Sequence, residues 1–123
     1  MRTKPAKLRD FSGKWRITEM SEWDKEFCDM EVKAFIGIGI GGGGEFQFGL
    51  VQGSICGELK KRGDGRIFDF TWEGGDDNNE ASGDGWMELL GSNTAQGVIR
   101  FHGGDSSRFL AKRKKAGKGM GKK

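Results

Sequence analysis

"EVKAFIGIGI" (residues 31–40) runs into "GGGG" (41–44) and then "EFQFGLVQGSICGEL" (45–59). In the first stretch Val32, Ala34, Ile36, Ile38 and Ile40 alternate with Lys33, Phe35, Gly37 and Gly39. A period of two puts successive side chains on opposite faces of a strand. The glycine run reads as a turn. In the third stretch Phe46, Phe48 and Leu50 share one parity, and Val51, Ile55 and Leu59 share the other. A slip of one residue beside Gly49 reads as a bulge, which would let one long strand bend.

The same alternation extends outward. "KWRITEM" (14–20) sets Trp15 and Ile17 against Arg16 and Thr18. "SEWDKEFCDM" (21–30) breaks the pattern; Trp23, Glu26 and Phe27 fit a single helical turn with Ser21 as its cap. After the turn "KRGDG" (61–65), "RIFDFTW" (66–72) alternates Phe68, Phe70 and Trp72 with Asp69 and Thr71. "GWMELL", "GVIRFH" and "SSRFLAK" follow, separated by the turns "GSNTA" and "GGD". About seven strands at this spacing, joined by short linkers, predict neighbours paired antiparallel. The fold class is therefore all-β: a small antiparallel up-and-down β-barrel or barrel-like meander, with one short helical turn after the first strand. A two-layer β-sandwich is the alternative. The expected core is Trp15, Ile17, Val32, Ile36, Ile38, Phe46, Phe48, Phe68, Phe70, Leu89, Ile99 and Phe109.

Composition agrees with this reading. A chain of 123 residues closes one modest core. Glycine is 23 of them, with nine Phe and four Trp, which suits short strands of large side chains between tight turns. The net charge of +3 hides a division. Residues 1–9 carry +4 and residues 112–123 carry +7, leaving −8 on the body between them. The expected organisation is a disordered basic segment at 1–9, a single barrel domain at 10–112 and a disordered basic tail at 113–123. Lys112, Arg113, Lys114 and Lys115 offer the tail a weak, non-specific attraction to nucleic acid. Cys28 and Cys56 form no CxxC pair and are read as free thiols in a reducing compartment. No signal peptide and no long apolar run are seen, so a cytoplasmic protein without a membrane span is expected.

"TWEGGDDNNEASGDGW" (71–86) reads as a wet loop between strands, its Asx residues satisfying turn backbone. As a calcium loop starting at Asp76 it places Ala81 where Gly is required and Met87 where the bidentate Glu belongs. Asp76, Asp77, Asn78 and Glu80 remain as oxygen donors for an irregular calcium site. "GIGIGG" matches a dinucleotide fingerprint, but a strand follows it where a helix should. His102, the one histidine, sits with Asp105, Ser106 and Ser107 on a single tight turn, and no G-x-S-x-G elbow is present. No cofactor is implied. Trp23, Trp72, Trp86, His102 and Arg108 are the candidates for a ligand site at the barrel mouth.

Two resemblances add to this. "SGKW" on the first strand, with Arg108 in "SSRFLAK" on the last, resembles the calycin superfamily of lipocalins, fatty-acid-binding proteins and avidins. The resemblance implies a barrel in which Arg108 covers the indole of Trp15. The run from "WRITEMSEWDKEFCDMEVKAFI" to "IRFHGGDSSRFLAKR" is similar to a family of small bacterial proteins with no assigned activity, which implies a bacterial intracellular domain. The function expected is a non-enzymatic binding module, taking a small apolar or aromatic ligand at the barrel mouth or a protein partner on the acidic face. An accessory protein of a nucleic-acid assembly comes second and a hydrolase-like enzyme last.

Overall fold

The computed structural model describes residues 7–114. Eight strands close into an antiparallel up-and-down barrel in chain order, with β8 returning to pair with β1. They are β1 (Gly13–Met20), β2 (Phe35–Ile38), β3 (Gly43–Phe48), β4 (Val51–Arg62), β5 (Gly65–Asp76), β6 (Asn79–Leu89), β7 (Thr94–Phe101) and β8 (Ser106–Arg113). Two single-turn helices, α1 (Leu8–Phe11) and α2 (Lys25–Cys28), flank β1 in sequence. The sandwich alternative is thereby replaced by closure, which leaves no sheet edge to protect.

Three differences from the sequence reading have physical causes. The parity switch near Gly49 is not a bulge but a two-residue hairpin, with Phe48 directly opposite Val51. Residues facing each other across such a turn are three apart and point the same way, so the hairpin changes parity just as a bulge does. Gly49 takes φ +57°, the positive value this kind of turn favours at its first position. The extra reversal raises the strand count to eight. Secondly, the acidic stretch is a hairpin: β5 runs to Asp76, β6 starts at Asn79, and Asp77 turns at φ +61°. Its inward positions are Gly74, Ala81 and Gly83, closed by the pair Asp76–Asn79, so no alternation of large hydrophobic residues was there to read. Thirdly, secondary structure extends past 10–112 at both ends, since α1 begins at Leu8 and β8 includes Arg113. The remaining tail residues, Lys115 among them, lie outside the described ones.

The core contains ten of the twelve expected residues. Val32 is 43% exposed because it precedes the paired segment of β2, and Leu89 is half-buried at the end of β6. Aromatic rings occupy the axis. Phe46 and Phe48 stack at 5.8 Å, and Trp72 meets Phe46 edge-on at 5.0 Å. Phe68 and Phe70 lie 5.7 Å apart. These rings are accommodated by glycines on adjacent strands. A Cβ at Gly85 would stand 2.7 Å from the Phe70 ring, and one at Gly83 2.9 Å from Trp72 Nε1.

Both ends of the barrel are plugged. At the start of β1, Phe11 of α1 is fully buried against Phe68, with centroids 6.1 Å apart. At the far end Trp23 packs on Phe48 (5.1 Å), Phe101 (6.0 Å) and Phe27 of α2 (6.1 Å). The cap of α2 is Asp24, whose carboxylate accepts from Phe27 N–H at 2.9 Å. Ser21, the cap expected from sequence, instead accepts from Arg108 N–H at 3.0 Å and ties β1 to β8.

The glycine lining gives a direct prediction. Gly85→Ala forces a methyl into the Phe70 ring and the β7 backbone and should cost at least about 2 kcal/mol. Gly41→Ala, where the added methyl meets nothing within 4 Å, should stay within about 0.5 kcal/mol of the parent. Urea denaturation followed by tryptophan fluorescence measures both.

Candidate functional site

The five residues expected at a barrel mouth do not converge. Trp72 is buried in the core and donates Nε1–H to the Arg100 carbonyl at 3.2 Å. Trp23 is the plug of one end. Trp86 faces outward, with the Arg62 guanidinium 4.2 Å above its ring. It shares an outer groove of about 360 Å³ with Arg108, Val98 and Leu110. His102 follows β7, its Nδ1 3.4 Å from Ser82 Oγ, in a shallow depression of about 290 Å³ that also touches Trp23. The interior that a mouth ligand would enter is filled by the core rings and closed by the two plugs.

Two of the acidic hairpin's oxygen donors, Asp76 and Glu80, lie on opposite faces of the sheet. Asp76 pairs with Asn79 and Gly75 with Glu80, so the pleat sends Glu80 to the face opposite Asp76. Asp77 is carried on the turn. Among the described residues no group of three or more His, Cys, Asp or Glu side chains is placed to share a metal ion. His102 meets the Ser82 hydroxyl rather than a carboxylate. Asp84 is gripped by Arg100 through bonds of 2.8 and 3.3 Å. Of the two free thiols Cys56 is exposed; Cys28 is buried, and burial, then Asp29 and Asp24, pushes its thiol up.

The cation over Trp15 is Arg113, not Arg108. In an antiparallel pair the start of β1 lies beside the end of β8, and Trp15 faces Arg113 in the register. Arg108 belongs to the opposite end of the barrel. The Arg113 guanidinium stands 4.3 Å from the indole. It donates to the carbonyls of Ser12 (2.6 Å), Asp10 (2.7 Å) and Ser92 (3.1 Å). The Trp15 N–H in turn donates to the Phe11 carbonyl at 2.9 Å. One side chain thus closes the β1–β8 seam, fixes α1 and satisfies three carbonyls.

The most coherent surface is one the sequence did not single out. Outward positions of β1 and β8, with the approach to β2, build a groove of about 500 Å³. Its lining carries Lys14, Arg16, Lys33, Lys112 and Lys114 around Phe35 and includes no acid. Arg16 is neutralised by Asp29 at 3.2 Å. Among the described residues Lys14, Lys33, Lys112 and Lys114 enter no ion pair, and Lys14 Nζ rests 4.5 Å from the Phe35 ring centre. The outer wall of β4–β6 is mixed: Glu58, Asp69, Glu73, Asp84 and Glu88 stand among Lys60, Lys61, Arg62 and Arg66, with Asp69 paired to Lys60 and Asp84 to Arg100. Lys112 and Lys114 were legible as basic residues; Lys14, Lys33 and Phe35 join them once β1 is known to lie between β2 and β8. No described helix is long and apolar enough to cross a membrane.

Arg113→Ala should lower unfolding stability by about 2–4 kcal/mol, since it removes charged hydrogen bonds and uncovers Trp15. Arg108→Ala should change it by less than about 0.5 kcal/mol; equal losses in a urea titration would reject the seam role. The Arg100 guanidinium holds the Asp84 carboxyl below its usual value. A depressed carboxylate contributes fully above its ordinary pKa and loses that contribution as pH falls through the depressed value. The Asp84 side chain is 39% exposed, so Asp84→Asn should cost well under about 1 kcal/mol at neutral pH. The gap between parent and variant should close in acid, as a pH series of melts would show. Comparison with known protein families, with curated proteins and with solved structures finds no match.

Proposed function

We propose that the protein is a non-enzymatic binding module that recognises an anionic partner on its outer wall, at the groove of Lys14, Lys33, Lys112 and Lys114. The observation that carries this reading is the groove itself, where four ammonium groups that enter no ion pair among the described residues surround an aromatic ring with no acid in the lining. Four ammonium groups on adjacent elements repel one another, a cost of the free protein that a polyanion removes. Lys114 lines the groove, and the sequence beyond it adds Lys115, Lys118, Lys122 and Lys123. This reading moves the nucleic-acid role expected for the tail onto the folded wall. The Gly13-x-Trp15 element under Arg113 supports kinship with calycin-like barrels, with recognition outside rather than within. The two free thiols suit a reducing compartment such as the cytoplasm.

Binding of fluorescent inorganic polyphosphate should be measured across a salt series. Log affinity is expected to fall linearly with log salt. The triple variant Lys14→Glu, Lys33→Glu, Lys112→Glu should bind at least about tenfold more weakly with a shallower slope. Removing residues 115–123 should weaken binding without abolishing it. Unchanged affinity in the triple variant, or no binding by the parent at low salt, rejects the reading.

A further inference from the structure

We propose that the occupant of this groove is single-stranded nucleic acid, with phosphates on the lysines and a base laid against Phe35 on a bare glycine shelf. The inference rests on the anionic-partner reading and specifies its chemistry. Phe35 faces outward from β2, half-buried, so its ring is held in place yet reachable. It forms the ridge between the basic groove and a second depression of about 580 Å³, and Lys14 also lines both. The floor of that second depression includes Gly37, Gly43 and Gly44, and its lining also holds one acid, Glu45.

The shelf is more open than the fold requires. A Cβ at Gly44 would collide with the backbone of Gly37, so that glycine serves packing. A Cβ at Gly37 would meet nothing closer than the Glu45 carbonyl, 3.8 Å away, and one at Gly43 only the Ile55 carbonyl at the same distance. Neither contact forbids a side chain. What their absence leaves is a flat space beside an aromatic ring and next to unpaired cations. Stacking on a ring with lysines along the backbone is the general chemistry of single-strand binding. A duplex offers its bases no such access. A bilayer would need an apolar edge to enter, but the exposed Val32 and Ile40 lie beyond opposite ends of β2.

The test compares a single-stranded oligothymidylate of about 12 nucleotides, within the usual site size, with three other probes. These are its duplex, polyphosphate of matched charge, and phosphatidylserine vesicles. The full chain and its Phe35→Ala and Gly37→Val variants are assayed, with melting curves to show that each variant is folded. The parent should bind the single strand about tenfold more tightly than polyphosphate, and each variant should lose about five- to tenfold on the single strand alone. Gly37→Val keeps the ring but fills the shelf, so it reports the site even if Phe35→Ala is poorly folded. Equal binding of single strand and polyphosphate, preference for duplex or vesicles, or variants that bind as the parent does would overturn the inference. If polyphosphate still binds through the lysines in those cases, the anionic-partner reading survives; if no polyanion binds, both fall.

Discussion

A ring set against a glycine is the contact on which this barrel depends. Direct cross-strand pairs of this form include Phe46 with Gly53, Phe70 with Gly57 and Gly85, Trp72 with Gly83 and Phe109 with Gly97. An eight-stranded barrel has an interior just wide enough for side chains to fill. With rings projecting from several strands, the facing positions have no volume left, and even a methyl there would overpack. Gly costs about 0.5–1 kcal/mol relative to Ala inside a strand. A buried aromatic removes roughly 150–250 Å² from water, worth about 4–6 kcal/mol at the usual coefficient. Burial therefore wins at each pair, and the ring in return covers the backbone that the glycine leaves bare.

Such packing has a consequence for function. The lumen is packed with Phe and Trp, with Phe11 and Trp23 at its ends, and the proposed recognition is accordingly placed on the wall. There the pleat has produced two chemistries from one set of strands. Inward positions are almost entirely apolar. Outward positions carry cations where β8 and β1 adjoin, and a mixture of carboxylates and cations across β4, β5 and β6. Closure of the barrel matters to this sorting, because it is the β1–β8 pairing that brings Lys14 and Lys112 onto one surface.

The sequence made the architecture legible wherever large side chains alternate, as in Phe46–Phe48 or Phe68–Phe70–Trp72. It was silent where the inward residue is glycine or alanine, which is why the hairpin from Glu73 to Asp84 read as a loop. It was ambiguous at Phe48–Val51, since a two-residue turn and a bulge leave the same parity signature. The site was harder to read than the fold. Trp86 and Arg108 share a groove, yet Trp72 and Trp23 were drawn into the core and the plug by their size. Lys14 and Lys33 lie nineteen positions apart in the chain and show no pattern until the register joins their elements. Arg108 was mistaken for the cation on Trp15 because the two last-strand arginines look alike until antiparallel pairing selects the one at the far end.

The end of β8 shows how one run of charge serves two purposes. "KRKK" (112–115) reads as the opening of a uniform basic tail. In the barrel Lys112 points outward into the groove, while Arg113 turns inward over Trp15 and donates to three carbonyls. Lys114 then lines the groove again, its N–H donating to the Lys14 carbonyl at 2.8 Å. A guanidinium suits the inner position, because its planar fork can serve several acceptors while stacking on an indole; an ammonium cannot do both. Compact ammonium groups suit the outer ones, where they act as point charges toward an anion. Because β8 pairs with β1 through this segment, the seam that closes the barrel also sets the spacing of the groove's cations. Arg113 thus ties the stability of the β1–β8 seam to the place where Lys14 and Lys112 share one surface.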